Sequence, residues 1–171
     1  MLLVSFWMTQ RLTREINELE RQAMEKQTRL SQYQKYAGIL GGSTILHLGN
    51  ISGLSAELLP RASLFAQYSD QASSMSAMQN LQTMKMMGRV PYTGDPATQY
   101  QIEMSAFANF KNEALKALKQ QESMILNEKE KEIQLELNHI EQQLNIKRQQ
   151  LETYKNMAKE ESKKAVPTFG M

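Results

Sequence analysis

The chain has 171 residues, 41% hydrophobic and 22% charged, with a net charge of +2 and no cysteine. This excludes disulfides, thiol catalysis and Cys-based zinc sites, and leaves no global basic field to hold nucleic acid or an anionic membrane. Aromatics make up only 7% while methionine reaches 12 residues, which argues against a large globular core and for adaptable helix–helix contacts.

The opening MLLVSFWM is apolar but stops at Thr9, and the first positive charge, Arg11, comes after it. A cleavable signal peptide has the opposite order, so none is expected. Leu2, Leu3, Phe6 and Trp7 are expected instead to dock on a neighbouring helix or on a partner. Residues 1–37 read as an amphipathic heptad segment whose regular part begins at Thr9. Leu12, Ile16, Leu19, Ala23, Lys26, Leu30, Tyr33 and Ala37 alternate steps of four and three, the seam of a coiled coil with one lysine in it.

Residues 38–61 change character. No charged residue occurs between Tyr36 and Ala56, and Gly38, Gly41, Gly42, Gly49 and Gly53 interrupt the stretch. It is expected to be an irregular connector, too rich in glycine for a regular helix. Its length would suffice for a membrane span, but the glycines and polar residues dilute it, so membrane contact through 36–56 is the lesser expectation. Residues 62–94 read as a Met- and Ala-rich helix from about Ala62 to Met87, followed by the turn GRVPYTGDP.

Residues 95–165 carry the strongest helical signal. Asp95 suits an N-cap and Pro96 the first helical position, and neither Pro nor Gly recurs before Pro167. This permits a helix of about 70 residues, on the order of 100 Å long. Its first half offers Met104, Phe107, Ala108, Phe110, Ala114, Leu115, Leu118, Met124 and Ile125. The second offers an unbroken heptad seam of Ile133, Leu137, Ile140, Leu144, Lys147, Leu151, Tyr154 and Ala158. The step from Ile125 to Ile133 is eight residues, so a register slip with a local bend is expected across NEKEKE. Residues 166–171, with Pro167, Phe169 and Met171, read as a frayed tail.

The two seams resemble each other. At an offset of 121, Glu15, Asn17, Glu20, Gln22, Lys26, Leu30, Tyr33 and Ala37 recur as Glu136, Asn138, Glu141, Gln143, Lys147, Leu151, Tyr154 and Ala158. Shared heptad grammar, more than duplication, is the expected cause. Either way the segments can pair with each other or with copies in other chains.

No constellation for nucleophilic, metal or cofactor chemistry stands out. His47 lies in the uncharged segment, and His139 is flanked by Glu136 and Glu141 on an ordinary coiled-coil face. Helical spacing would let His139, Glu136 and Glu132 share a metal, but solvation explains them as well. GGS at 41–43 lacks the spacing of a phosphate loop. Neither an enzyme, a small-molecule substrate, a cofactor nor a nucleic-acid partner is expected.

The expected fold is all-α: a long C-terminal coiled-coil helix paired with a shorter N-terminal helix, with an irregular middle. The expected role is that of a non-enzymatic structural or assembly protein that oligomerises or docks on partner helices. Its contact residues would be Leu12, Ile16, Leu19, Leu30, Tyr33, Phe107, Leu118, Ile125, Ile133, Leu137, Ile140, Leu144, Leu151 and Tyr154. Terminal coiled helices around a Gly-, Ser- and Met-rich middle suit axial parts of bacterial export machines and virions, so a cytoplasmic or particle-assembled location is expected. The alternatives are a secreted or membrane-active helical effector inserting 36–56, and a coiled-coil adaptor.

Overall fold

The computed structural model describes residues 2–42 and 48–165; His47 and the tail residues Pro167, Phe169 and Met171 lie outside them. The described residues form four helices and no strand: α1 (Leu2–Gly41), α2 (Leu48–Ile51), α3 (Leu58–Met86) and α4 (Pro96–Ala165). The all-α expectation holds, with the C-terminal helix packed against the N-terminal one.

Helix ends differ from the sequence reading for identifiable reasons. α1 runs through Gly38 to Gly41. A mid-helix glycine costs roughly 1 kcal/mol, and here Tyr36 and Leu40 are buried on the same turns, which more than offsets it. α3 starts at Leu58, before Pro60. A proline in the first turn removes an N–H that has no helical acceptor in any case. Half of the expected connector 38–61 therefore lies in the end of α1, in α2 and in the start of α3.

Two breaks follow the expected chemistry. α3 closes in a Schellman motif: Gly88, at φ +65°, donates its N–H to Lys85 O, and Arg89 donates to Met84 O. Asp95 caps α4, its Oδ2 accepting from the Thr98 N–H at 3.0 Å and from Thr98 Oγ1 at 2.6 Å.

The chain divides into two compact units, Met1–Ser31 with Glu130–Met171, and Gln32–Lys129. The first unit is an antiparallel helical hairpin. Its core is Ile16, Ile140 and Leu144, with Leu19, Ala23 and Leu151 packed against them. Leu12, Ile133 and Leu137 are also buried, while Leu30 and Tyr154 are half-buried. Leu3, Val4, Phe6 and Trp7 point outward. The expected docking of Leu3, Phe6 and Trp7 on a neighbouring helix is thus not seen among the described residues, and the Leu2 side chain lies outside them; Ser5 is the residue on that turn that faces inward, donating to Glu161 Oε2 at 3.3 Å.

In the second unit the register needs one correction. Ile125 is 44% exposed, whereas Leu126 is fully buried. Leu126 stands one heptad before Ile133, so the seam continues through NEKEKE in step, and the eight-residue slip read from Ile125 does not arise there. α4 passes through this stretch as one uninterrupted helix. Phe107 and Leu118 are half-buried, and Met104 and Met124 are exposed. Leu126→Ala should therefore cost about 2–5 kcal/mol in chemical denaturation, as cavity-forming Leu→Ala changes do. Ile125→Ala should cost less than about 1 kcal/mol; equal costs would reverse this assignment.

Candidate interaction site

In the second unit one carboxylate gathers three helices. Glu122 of α4 is buried, and Arg61, in the first turn of α3, grips both its oxygens: Nε donates to Oε1 at 2.6 Å and Nη2 to Oε2 at 3.0 Å. Tyr36 of α1 adds its hydroxyl to Oε1 at 3.2 Å. The pairing is bidentate and charge-assisted, the geometry in which Arg–carboxylate contacts are strongest. Burial, and then the Glu122 charge beside it, push the Tyr36 hydroxyl well above its ordinary pKa, so it remains a donor across the physiological range.

The end of α1 fixes the chain between α2 and α3 through two contacts to its main chain and one to a side chain. Gln32 Oε1 accepts from the Ser55 N–H at 3.0 Å, Lys35 donates to Gly53 O at 2.7 Å, and Tyr33 OH donates to Glu57 Oε1 at 3.2 Å. Lys119 of α4 donates to Gly42 O at 2.9 Å, just beyond the end of α1, where helix carbonyls run out of internal partners. Two further ion pairs tie α3 to α4, Asp70–Lys111 at 2.9 Å and Lys85–Glu103 at 2.5 Å. As the α3 number rises from 61 to 85 the α4 number falls from 122 to 103, so these segments run antiparallel.

These contacts fix which face of α3 turns inward. The buried residues are Leu58, Ala62, Ser69, Ser73 and Ala77, small apart from the first. Both serine hydroxyls are satisfied by the helix itself, Ser69 on Ala66 O and Ser73 on Asp70 O. The large side chains point the other way. Leu64, Tyr68, Met75, Met78 and Met86 are all more than half exposed. Positions 64, 68, 71, 75, 78, 82 and 86 step by four or three along one face, which is the spacing of a helix-binding seam. A shallow groove of about 410 Å³ lies on this face between Tyr68, Gln71, Ala72, Met75, Ser76 and Gln79. Exposed apolar patches on the scale of a few hundred Å² mark interaction surfaces.

In the first unit the seam lysines are paired across the hairpin. Lys147 meets Glu15 at 2.6 Å, Lys26 meets Glu136, and Arg148 meets Glu20 at 2.7 Å. Lys147, with Arg11 second, holds the Glu15 carboxyl below the ordinary carboxylate value of 4.5. Within α1, Arg21 and then Gln22 bring Glu18 down to about 2. The second histidine, His139, is exposed and 3.0 Å from the Gln143 amide. Among the described residues no group of three His, Cys, Asp or Glu side chains could hold a metal ion. No helix among them is long and apolar enough to cross a membrane.

The nominated contact residues thus fall into two groups. Leu12, Ile16, Leu19, Leu30, Ile133, Leu137, Ile140, Leu144, Leu151 and Tyr154 belong to the hairpin, where α1 and α4 supply each other's partner. Tyr33, Phe107, Leu118 and Ile125 belong to the second unit. The bare stripe of α3 and the Glu122–Arg61–Tyr36 cluster were not nominated. The stripe was legible as heptad spacing, but the same helix carries a second, small-residue repeat that competes with it. The cluster joins residues 61 and 86 positions apart, which no local pattern signals. Comparison with protein-family models, curated proteins and solved structures finds no match.

Two outcomes test this picture. Glu122→Leu leaves Arg61 partly buried without its counter-charge and should cost about 2–3 kcal/mol by denaturant titration, while adding Arg61→Met should recover more than half of that loss. For pH, Glu15 and Glu18 have lowered pKa values in the fold. Their stabilisation is complete above about pH 4.5 and is lost as pH falls below it, for Glu18 as pH approaches about 2. The thermal midpoint should drop across that window, and drop less in about 1 M salt, because exposed pairs are screened.

Proposed function

We propose that this chain is a non-enzymatic structural protein that assembles through helix–helix contacts, and that α3 presents the assembling surface. The observation that carries the reading is the bare stripe at Leu64, Tyr68, Met75, Met78 and Met86, set at heptad spacing on a helix whose opposite face is already packed. A helix needs a partner for such a stripe, and the partner that matches a seam is another helix.

The occupant we propose is α3 of a second copy. The stripe is nearly symmetric about Met75. Leu64 and Met86 lie eleven residues to either side and Tyr68 and Gln82 seven; Gln71 is mirrored four residues away by Gln79, which borders the stripe, and Met78 by Ala72. An antiparallel second α3 centred on Met75 sets Leu64 on Met86, Gln71 on Gln79 and Met78 on Ala72, with Tyr68 facing Gln82, a largely self-complementary arrangement of the kind a two-fold dimer uses. The methionines suit such a surface because their side chains adapt to irregular gaps. Repeated use of such contacts fits a component of a larger particle, such as a virion or an export apparatus.

Met75→Glu with Met78→Glu puts like charges on the proposed contact and leaves the buried face untouched. In sedimentation velocity the doubly substituted chain should lose its higher-mass species. Helicity by circular dichroism should be unchanged, with the thermal midpoint moved by no more than about 4 °C. A mass distribution identical to that of the parent would remove α3 as the assembling surface.

A further inference from the structure

We infer that α4 can pair with α4 of a second copy in the same antiparallel register that it now uses with α1, so that the hairpin is one of two alternative pairings of a self-complementary segment. The inference uses a different surface from the α3 stripe and goes beyond the assembly reading above.

Two seam ion pairs, Glu15–Lys147 and Lys26–Glu136, set the register of the hairpin. They are reciprocal. Moving eleven residues along α1, from Glu15 to Lys26, moves eleven residues back along α4, from Lys147 to Glu136. The offset of 121 that aligns the two segments turns Glu15 into Glu136 and Lys26 into Lys147. Each pair is therefore the image of the other, and the hairpin has an approximate two-fold axis between its helices. A segment that occupies both roles in such an arrangement is complementary to itself.

Carrying the register over is then a matter of substitution. Where α1 offers Glu15 and Lys26, a second α4 offers Glu136 and Lys147, so both seam lysines keep a carboxylate. Where Glu20 meets Arg148, the second α4 offers Glu141, again a carboxylate. Two copies pairing this way make four such contacts, two Glu136–Lys147 pairs and two Glu141–Arg148 pairs, and two Glu15–Lys26 pairs become available if the freed α1 segments also pair. The core improves at one position. Ala23 packs against the cluster of Ile140 and Leu144 in the hairpin, and its counterpart in the second α4 is Leu144, a larger apolar side chain. Leu12, Ile16, Leu19 and Leu30 correspond to Ile133, Leu137, Ile140 and Leu151, so no apolar position of the seam is lost. What favours the hairpin is covalent connection, which holds α1 at a high effective concentration beside α4. The ion pairs do not discriminate between the two partners.

Charge reversal separates the two pairings, because it can break one while sparing the other. In the full chain carrying Met75→Glu and Met78→Glu, which disables the α3 stripe, Glu136→Lys with Lys147→Glu sets like charges against Glu15 and Lys26 in the hairpin. Between two α4 segments the same reversal leaves every Glu–Lys pair attractive. This chain should dimerise with a Kd lowered roughly tenfold or more relative to its Met75→Glu, Met78→Glu parent, read by sedimentation velocity across a concentration series. Adding Glu15→Lys and Lys26→Glu restores the hairpin pairs and should return the chain to the parent's mass distribution. Glu136→Lys alone opposes lysine to lysine in both pairings and should not dimerise. A reversed chain that stays monomeric, folded or unfolded, overturns the inference. So does a dimer that forms equally well with Glu136→Lys alone, since it must use another surface. Because the α3 stripe is disabled throughout, failure here leaves the α3 reading standing, and failure of α3 leaves this one standing.

Discussion

The fold depends on the need to cover the apolar seam of α4. A helix of this length with heptad-spaced leucines and isoleucines cannot stay bare in water, and helices owe most of their stability to such packing rather than to propensity. The first thirty residues of the same chain supply the cover, with Ile16, Leu19 and Ala23 laid against Ile140 and Leu144. Apolar packing alone would tolerate a slip by one heptad or a reversal of direction. The seam lysines remove that freedom. Lys26 and Lys147 each occupy a core slot and each needs a carboxylate on the facing helix, and only one antiparallel register gives Glu136 to the first and Glu15 to the second. Polar residues at core positions are known to trade stability for this kind of specification.

The second unit solves a different problem. Its helices α3 and α4 are joined by residues 87–95, which include Gly88 and Gly94, and apart from Leu58 the residues on the inward face of α3 are small. Burial of alanine and serine provides little hydrophobic stabilisation, so polar contacts carry more of the arrangement. Glu122 takes two hydrogen bonds from Arg61 and one from Tyr36, which ties the start of α3 and the end of α1 to a single point on α4. Such a node restricts geometry more than it adds stability, since withdrawing a carboxylate from water offsets much of what its partners return. Its contribution is to settle the rotation of α3 about its own axis, and with it the side on which the methionines emerge.

Much of this was legible in the residues and some was not. The all-α fold, the seams of α1 and α4, the Asp95 cap and the break at Gly88 all follow from local chemistry, namely heptad spacing, a carboxylate before Pro96 and a glycine free to take positive φ. The helical run through Gly38 was not legible, because its compensation comes from burial of Tyr36 and Leu40 by distant parts of the chain. The seam position before Ile133 is read at Ile125, whereas Leu126 is the buried residue: the two side chains are similarly apolar, and only counting one heptad back from Ile133 separates them. The Glu122 cluster was invisible for a plainer reason: a buried carboxylate in a stretch rich in lysine looks like any solvated one until the tertiary fold brings Arg61 to it. Of the nominated residues, Leu12, Ile16, Tyr33, Ile133, Leu137, Ile140 and Leu144 are buried within the chain and Ile125 is exposed, while an exposed stripe of comparable spacing lies on α3.

The two faces of α3 place opposite demands on sequence drift. On the inward side, room is the limit: Ala62, Ser69, Ser73 and Ala77 admit glycine, alanine or serine, and anything bulkier must push the helix off its neighbours. On the outward side, volume is free and character is the limit, so leucine, isoleucine or phenylalanine could replace methionine with little effect on the lone molecule. A deep mutational scan reporting only on folding would find the outward face permissive and the inward face strict. If α3 assembles as proposed, a scan reporting on assembled mass would find both strict, and the difference between the two maps would outline the contact surface residue by residue.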